Sequence, residues 1–308
     1  MNRSDAGPPS HGIVDKAFVP EIALLTTVSL WSSTFIITKD QLGIFSPLSF
    51  IFIRFMLMAT MALCIMMIQS RGFPVPQRQH WARFLVAGLT GYTFYQLGFV
   101  LGLDRTSVFS SSLLVATSPL FTMLILAAIG ERPPAASWIG VAIAVTGVAV
   151  FLVEKRGGDR SLEGDLLSLM AAISFAAYGI VNRPLTVTYS PAVSTAYAMT
   201  LGSIPLILLS VPAATRQDWN AIPPSSWTAV GFMVIFPVYL AYILWNFGIQ
   251  RRGAAIASSF GLLVPILSGV LSAAIFNEQF GFAKLMGGGL VLMGLLTIRL
   301  SAQPPSKK

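Results

Sequence analysis

RTSVFSSSLLVATSPLFTMLILAAIGERPPAASWIGVAIAVTG, residues 105–147, and RGAAIASSFGLLVPILSGVLSAAIFNEQFGFAKLMGGGLVLMG, residues 252–294, are two versions of one message. A constant offset of 147 places Arg105 on Arg252, Glu131 on Glu278, Gly140 on Gly287 and Gly147 on Gly294. Each copy holds an apolar run, a proline, a second apolar run, a loop with Glu and a Gly-rich apolar run. Pro119 and Pro265 miss the register by one residue, which one helical bulge absorbs. Upstream, an offset of 144 brings Glu21 onto Asp165, Trp31 onto Phe175, Lys39 onto Arg183 and Ser46-Pro47 onto Ser190-Pro191.

Composition sets the class. The 308 residues are 55% hydrophobic and 10% charged, with mean hydropathy +0.74. Soluble domains carry about 25% charged residues, so an integral membrane protein is expected. The net charge of +8 comes from bases scattered singly between apolar runs. Without a basic stripe, this reads as membrane topology and not as nucleic-acid binding. Cys64 is the only cysteine, and His11 and His80 are the only histidines, far apart. No metal site and no cofactor site is expected.

Ten runs are long and apolar enough to cross a bilayer: near 18–38, 46–69, 82–103, 106–129, 135–153, 164–186, 190–213, 226–249, 254–276 and 280–300. The expected fold is an all-α membrane protein, because helices satisfy their own backbone within lipid. The expected organisation is a flexible cytoplasmic tail (1–17), a five-helix repeat (18–153), a linker (154–163), a second five-helix repeat (164–301) and a tail (302–308). Five is odd, so the second repeat is inverted relative to the first, an arrangement characteristic of secondary transporters. Twelve Lys and Arg fall on the side of the N-terminus and seven on the other, with Arg54 inside the second run. Both termini are therefore expected in the cytoplasm.

LWSSTFIITK at 30–39, Pro47 followed by IRF at 53–55, the segment 106–133, GDLLSLMAAISFAAYG at 164–179 and the stretch from Pro265 to Glu278 carry a family resemblance. The chain resembles the drug/metabolite transporter superfamily in its ten-helix EamA-type branch, over roughly 18–300. The resemblance implies a carrier of small metabolites in the bacterial inner (plasma) membrane, often an exporter, including of amino acids. One departure is Phe175, where many relatives have Trp.

Arg54 is the leading candidate for function. It lies eight residues into an apolar run, and no acid lies in any helix core to pair with it. Either it holds an anionic substrate group, or it is a structural tether to carbonyls or the membrane interface. Tyr92, Tyr95, Gln96 and Phe99 share one helical face by their spacing, and Tyr239, Tyr242, Trp245 and Asn246 form a similar stripe, with Tyr95 on Tyr242 in the repeat. Trp31 and Tyr178 stand on the polar stripes of the first helix of each half. The expected substrate cavity is Trp31, Arg54, Tyr92, Tyr95, Gln96, Tyr178, Tyr242 and Asn246; ordinary helix packing is the other reading of these aromatics. Pro119 and Pro265 are expected hinges for alternating access, or else static kinks. Glu131 and Glu278 read as helix caps before proton carriers. The Gly-rich fifth and tenth runs read as peripheral scaffold or a homodimer contact.

The leading expectation is a secondary active exporter of amino acids or related small metabolites, with protons as a candidate coupling ion. Alternatives are an importer, or a transporter of sugars, nucleobases or drug-like compounds. A channel would show a ring of like residues or a filter loop, and a membrane enzyme would show a nucleophile with its base, paired acids or metal ligands. The helix cores offer neither.

Overall fold

The computed structural model describes residues 18–131, 133–153, 160–252 and 254–301. The expected tails, 1–17 and 302–308, lie outside the described residues, as does most of the expected linker; helix already begins at Arg160. The described residues are helical throughout, without a strand. In chain order the membrane passes are α1 (Val19–Gln41), α2 (Pro47–Gln69), α3 (Arg78–Arg105), α4 (Val108–Ala128), α5 (Ala135–Val153), α6 (Arg160–Thr188), α7 (Pro191–Arg216), α8 (Pro224–Ile249), α9 (Ala254–Phe260 and Leu263–Phe276) and α10 (Phe282–Ser301). All but α9 are long and apolar enough, by length and composition, to span a bilayer. The chain is an all-α membrane protein built as two inverted five-helix repeats.

Local chemistry starts several passes. Ser46, Ser107 and Ser190 each cap a helix by accepting a backbone N–H three residues on, at 3.3, 3.2 and 3.4 Å. After Ser46 and Ser190, a proline at the first helical position costs no hydrogen bond.

Two passes expected to be continuous are broken. α4 consists of Val108–Val115 and Ser118–Ala128. Thr117 N–H bonds the Leu114 carbonyl at 3.1 Å, and the buried Thr117 hydroxyl donates to the same oxygen. α9 restarts after Gly261-Leu262, where Leu262 N–H bonds the Ser259 carbonyl at 3.1 Å. Pro119 and Pro265 lie in the first turn of each new segment. They therefore do not kink a continuous helix: a first-turn N–H has no helical acceptor, so each proline is tolerated just past a break.

The packing obeys the duplication. α2 lies against α7 and α5 against α10; α3 packs on α6 as α8 packs on α1; α4 meets α9. One buried cluster gathers Phe50, Phe55, Phe84 and Phe99 with α7 residues, and another gathers Phe109, Leu113 and Phe151 with Val291 and Leu295. Lipid is as apolar as a leucine, so close backbone approach replaces the hydrophobic effect between passes. The α5–α10 seam works this way. A Cβ at Gly294 would meet the Gly140 carbonyl at 2.6 Å, and one at Gly287 would meet Phe151 N at 2.6 Å. The glycine faces of α5 and α10 thus fill one another within a single chain, which removes them as the expected dimer surface.

Gly294→Leu should lower the thermal midpoint of the detergent-solubilised protein by an amount equivalent to about 1–3 kcal/mol of overpacking. Gly289→Leu, on the same helix but open to the outside, should leave it unchanged. Size-exclusion after a temperature series checks both.

Candidate functional site

α3 and α8 each contain a stretch of π-helix, at Leu89–Phe94 and Phe236–Leu240. Their first residues are separated by the same 147 positions as the rest of the repeat. Such turns insert one residue into a helix, are costly, and concentrate at functional sites. In α8 the cause is legible: Pro237 has no N–H to continue the α-helical pattern. α1 docks on this turn. Trp31 Nε1 donates to the Pro237 carbonyl at 3.2 Å, Thr27 Oγ1 donates to the Ala241 carbonyl at 3.2 Å, and the Trp31 ring lies 4.9 Å from that of Trp245. Trp245 is thus a packing partner of Trp31 as well as a residue near the end of α8.

The other half keeps the turn and changes the contact. Thr90 stands where Pro237 does, and Phe175 where Trp31 does. Phe175 has no donor; its ring rests 5.2 Å from Tyr95 and 5.9 Å from Tyr178. Tyr178 seats on bare α3 backbone at Gly91, where a Cβ would overlap its ring. Its centroid is 5.7 Å from that of Tyr92. Asn182 Nδ2 donates to the Tyr178 hydroxyl at 3.1 Å, and Ser194 Oγ donates to Asn182 Oδ1 at 3.3 Å. Tyr239 and Tyr242 lie within electrostatic reach of Tyr92. Ring contacts therefore join Tyr92, Tyr95, Phe175 and Tyr178 of α3 and α6.

Arg54 completes this group from α2. It is 4% exposed, and its Nε and Nη1 have no hydrogen-bond partner among the described residues. Tyr95 is the titratable group that acts on it electrostatically, and the Phe50 ring lies 6.0 Å away. Gln96, 6% exposed, holds an unpartnered Oε1, and the buried Tyr239 hydroxyl is also unpartnered. A mid-membrane arginine costs about 2.5–3.5 kcal/mol even on insertion scales. A buried cation with spare donors, near Tyr95 and the Phe50 ring, has unused capacity to bond an acceptor. At the repeat-related position α7 carries Ala198, fully buried, whose carbonyl lies against Gly88 of α3. The polar charge is thus built into one half only.

The remaining expected residues fit less closely. Tyr242 is 48% exposed, so its ring is partly outside the packed interior. Asn246 is half-buried one turn further along α8. Pro119 and Pro265 mark the restarts of α4 and α9, outside the aromatic group. Pro237, Tyr239 and Phe175 were not among the expected site residues. The signal for Pro237 was present, a proline in the middle of an apolar run.

Polar contacts close the bundle at the end opposite the described N-terminus. Lys39 Nζ donates to the carbonyls of Leu103 at 2.7 Å and Thr106 at 2.9 Å, capping α3, and Thr106 Oγ1 donates to the buried Asp165 at 2.6 Å. Glu278 accepts from the Phe109 N–H at 3.3 Å and from Ser272, and pairs with Lys284 at 3.0 Å; Lys284 also donates to Ser107 at 3.0 Å. Glu278 therefore caps α4, a helix of the other repeat, where the sequence pointed to its own following helix. Its counterpart Glu131 is exposed. Ser107, Ser272 and Lys284 correspond to Ala254, Ile125 and Ser137, so the other half cannot build this network. A second pair of contacts does keep the symmetry. Phe45 faces Trp227 at 6.2 Å, and the related Tyr189 faces His80 at 5.5 Å.

With this geometry in place, comparison with known proteins is informative. The chain belongs to the EamA-like transporter family, which matches residues 19–153 and 162–300. It is 30% identical over 284 residues to the "Uncharacterized transporter YyaM" of Bacillus subtilis, covering 90% of this chain and 92% of the relative. It is 26% identical over 277 residues to a "Probable terminal-alkyne amino-acid exporter" of Streptantibioticus cattleyicolor, covering 90% and 92%. A solved structure, 21% identical, superposes with a TM-score of 0.60 over 92% of this chain and 98% of its own, which supports the fold alone. The protein is thus a multi-pass membrane transporter of the drug/metabolite type, and the family implies a small-molecule substrate.

Burial pushes the Glu278 carboxyl up, but bonds from Ser107 and Ser272 and the charge of Lys284 pull it further down, to below 4.5. A depressed folded value means that its stabilisation is present at neutral pH and is lost as pH falls through that value. The thermal midpoint should hold from pH 7 to about 5 and drop below about 4.5. Glu278→Gln should cost about 1–3 kcal/mol at pH 7 and flatten the acid limb. A melt series over pH on both proteins measures this.

Proposed function

We propose that the protein is a secondary active transporter that exports amino acids or related small metabolites by alternating access about a central site. The observation that carries this reading is Arg54. It is a buried guanidinium with spare donors, within electrostatic reach of Tyr95, in a bundle whose two halves carry matched π-helical turns. Trp31, Tyr92, Tyr95, Gln96, Tyr178, Tyr242 and Asn246 form the wall of that site, and Arg54 is its charged anchor. Inverted repeats can exchange conformations and open one site to each side in turn. The repeats 18–153 and 164–301 are the moving units, and the helix breaks beside Pro119 and Pro265 are where α4 and α9 flex. The relative named as an amino-acid exporter supports the direction and the class of cargo.

The protein resides in the bacterial inner membrane with both termini in the cytoplasm, on the strength of the Lys and Arg bias between its two sides. Protons are the candidate coupling ion, which the imposed gradient below tests. A homodimer, where formed, uses a face other than the glycine seam of α5 and α10.

The test uses proteoliposomes loaded with a metabolite panel, followed for efflux with and without an imposed proton gradient. Saturable efflux that responds to the gradient is expected; flux that rises without limit would mark a channel. Arg54→Ala should lower the rate by at least about 30-fold, the effect of removing one partner of a buried charged contact. Its elution profile should match the unaltered protein. Normal efflux by this variant would end the substrate-contact role.

A further inference from the structure

The charge at the centre of this bundle is unbalanced, and that imbalance defines what can fill it. An arginine does not lose its proton in a protein. Arg54 therefore stays cationic, though it is 4% exposed and leaves two nitrogens without acceptors. The acids that could compensate it are engaged at the ends of the helices. Glu21 pairs with Arg252 at 2.6 Å, Asp165 accepts from Thr106 at 2.6 Å, Glu163 holds Arg105 at 3.2 Å and Glu278 holds Lys284 at 3.0 Å. No other acidic residue lies in the interior of an apolar run. Arg299, the other guanidinium with an unpartnered nitrogen, sits in the last turn of α10 at the edge of the membrane.

Three kinds of cargo can be weighed against this field. A cation would add a second positive charge to an uncompensated one. A zwitterion would neutralise Arg54 with its carboxylate but bring an ammonium that finds no carboxylate among the described core residues. An anion with one negative charge leaves the filled site neutral, the state that a low-dielectric interior favours most. A planar two-oxygen anion also matches the fork of a guanidinium, which takes carboxylates in a bidentate manner. Gln96, on the same helix as Tyr95, holds a buried Oε1 without a partner among the described residues, an acceptor for a hydroxyl or N–H of a cargo that reaches it. The rings of Tyr92, Tyr95, Phe175 and Tyr178, packed 5.2–5.9 Å apart, suit an apolar body.

We infer that the substrate is a small monocarboxylate of single negative charge bearing a hydroxyl or other neutral hydrogen-bond donor, and that Arg54 selects it by charge. This rests on the transport reading above and narrows it.

The experiment sorts cargo by charge without presuming its identity. Proteoliposomes of the full-length protein are loaded with a metabolite mixture holding equal numbers of singly anionic, zwitterionic and cationic members, and released compounds are identified by mass spectrometry. Singly anionic carboxylates should dominate the release. Arg54→Gln should lower their release at least about 30-fold. Arg54→Lys, a point charge without the fork, should keep the preference at a reduced rate. Release led by zwitterions or cations would overturn the inference and leave transport standing, and this arm needs no variant to fold. An anion preference that survives in Arg54→Gln would likewise overturn it. Release of nothing by the unaltered protein would overturn the transport reading and this inference with it.

Discussion

Within lipid, a backbone N–H or carbonyl has no water to turn to, and every irregularity in this bundle is arranged around that constraint. The π-helical turn of α8 leaves a proline carbonyl that Trp31 reaches from α1. The break in α4 is closed by the Thr117 hydroxyl on the Leu114 carbonyl. The C-terminal carbonyls of α3 are gathered by the ammonium of Lys39. These departures from straight helix are met by a donor from the same turn or from another pass. Those donors are polar residues that would otherwise look out of place in apolar runs.

The same constraint explains the seams. Helices in lipid gain little from burying apolar surface against each other, so contact depends on how closely backbones approach. The α5–α10 pair uses glycine on both sides, and α3 meets α7 at Gly88 and Gly202. These seams hold each repeat to the other. Matched irregularities then lie in matched helices, the π turns in α3 and α8 and the breaks in α4 and α9. Each irregularity in one half thus has a counterpart in the other.

Symmetry supplies the frame, and its violations supply the chemistry. Arg54 against Ala198, Trp31 against Phe175, and the Glu278 network against Ala254, Ile125 and Ser137 are places where one half does something the other cannot. Phe175 is instructive. A tryptophan there could donate to the Thr90 carbonyl, as Trp31 does to that of Pro237; phenylalanine lies instead on Tyr95 and Tyr178. One π turn is thereby bound to its neighbour helix through a side-chain donor, and the other is lined by aromatic faces.

The sequence by itself determined the class, the passes and the duplication, because twenty apolar residues in lipid have one stable conformation and a repeat offset is plain in the letters. It also singled out Arg54, since a charge in an apolar run is conspicuous. It could not place the breaks. Ala116-Thr117 and Gly261-Leu262 read as continuous helix, and whether a proline kinks a helix or starts a new one depends on which carbonyls find other donors. Nor could it join Glu278 to the start of α4, since their 169-residue separation is closed only by the packing of α4 on α9. That Arg54 keeps spare donors among the described residues was decided by tertiary structure. An ionic partner is set by distance in space, and helix-to-helix neighbours in an inverted repeat are distant in the chain.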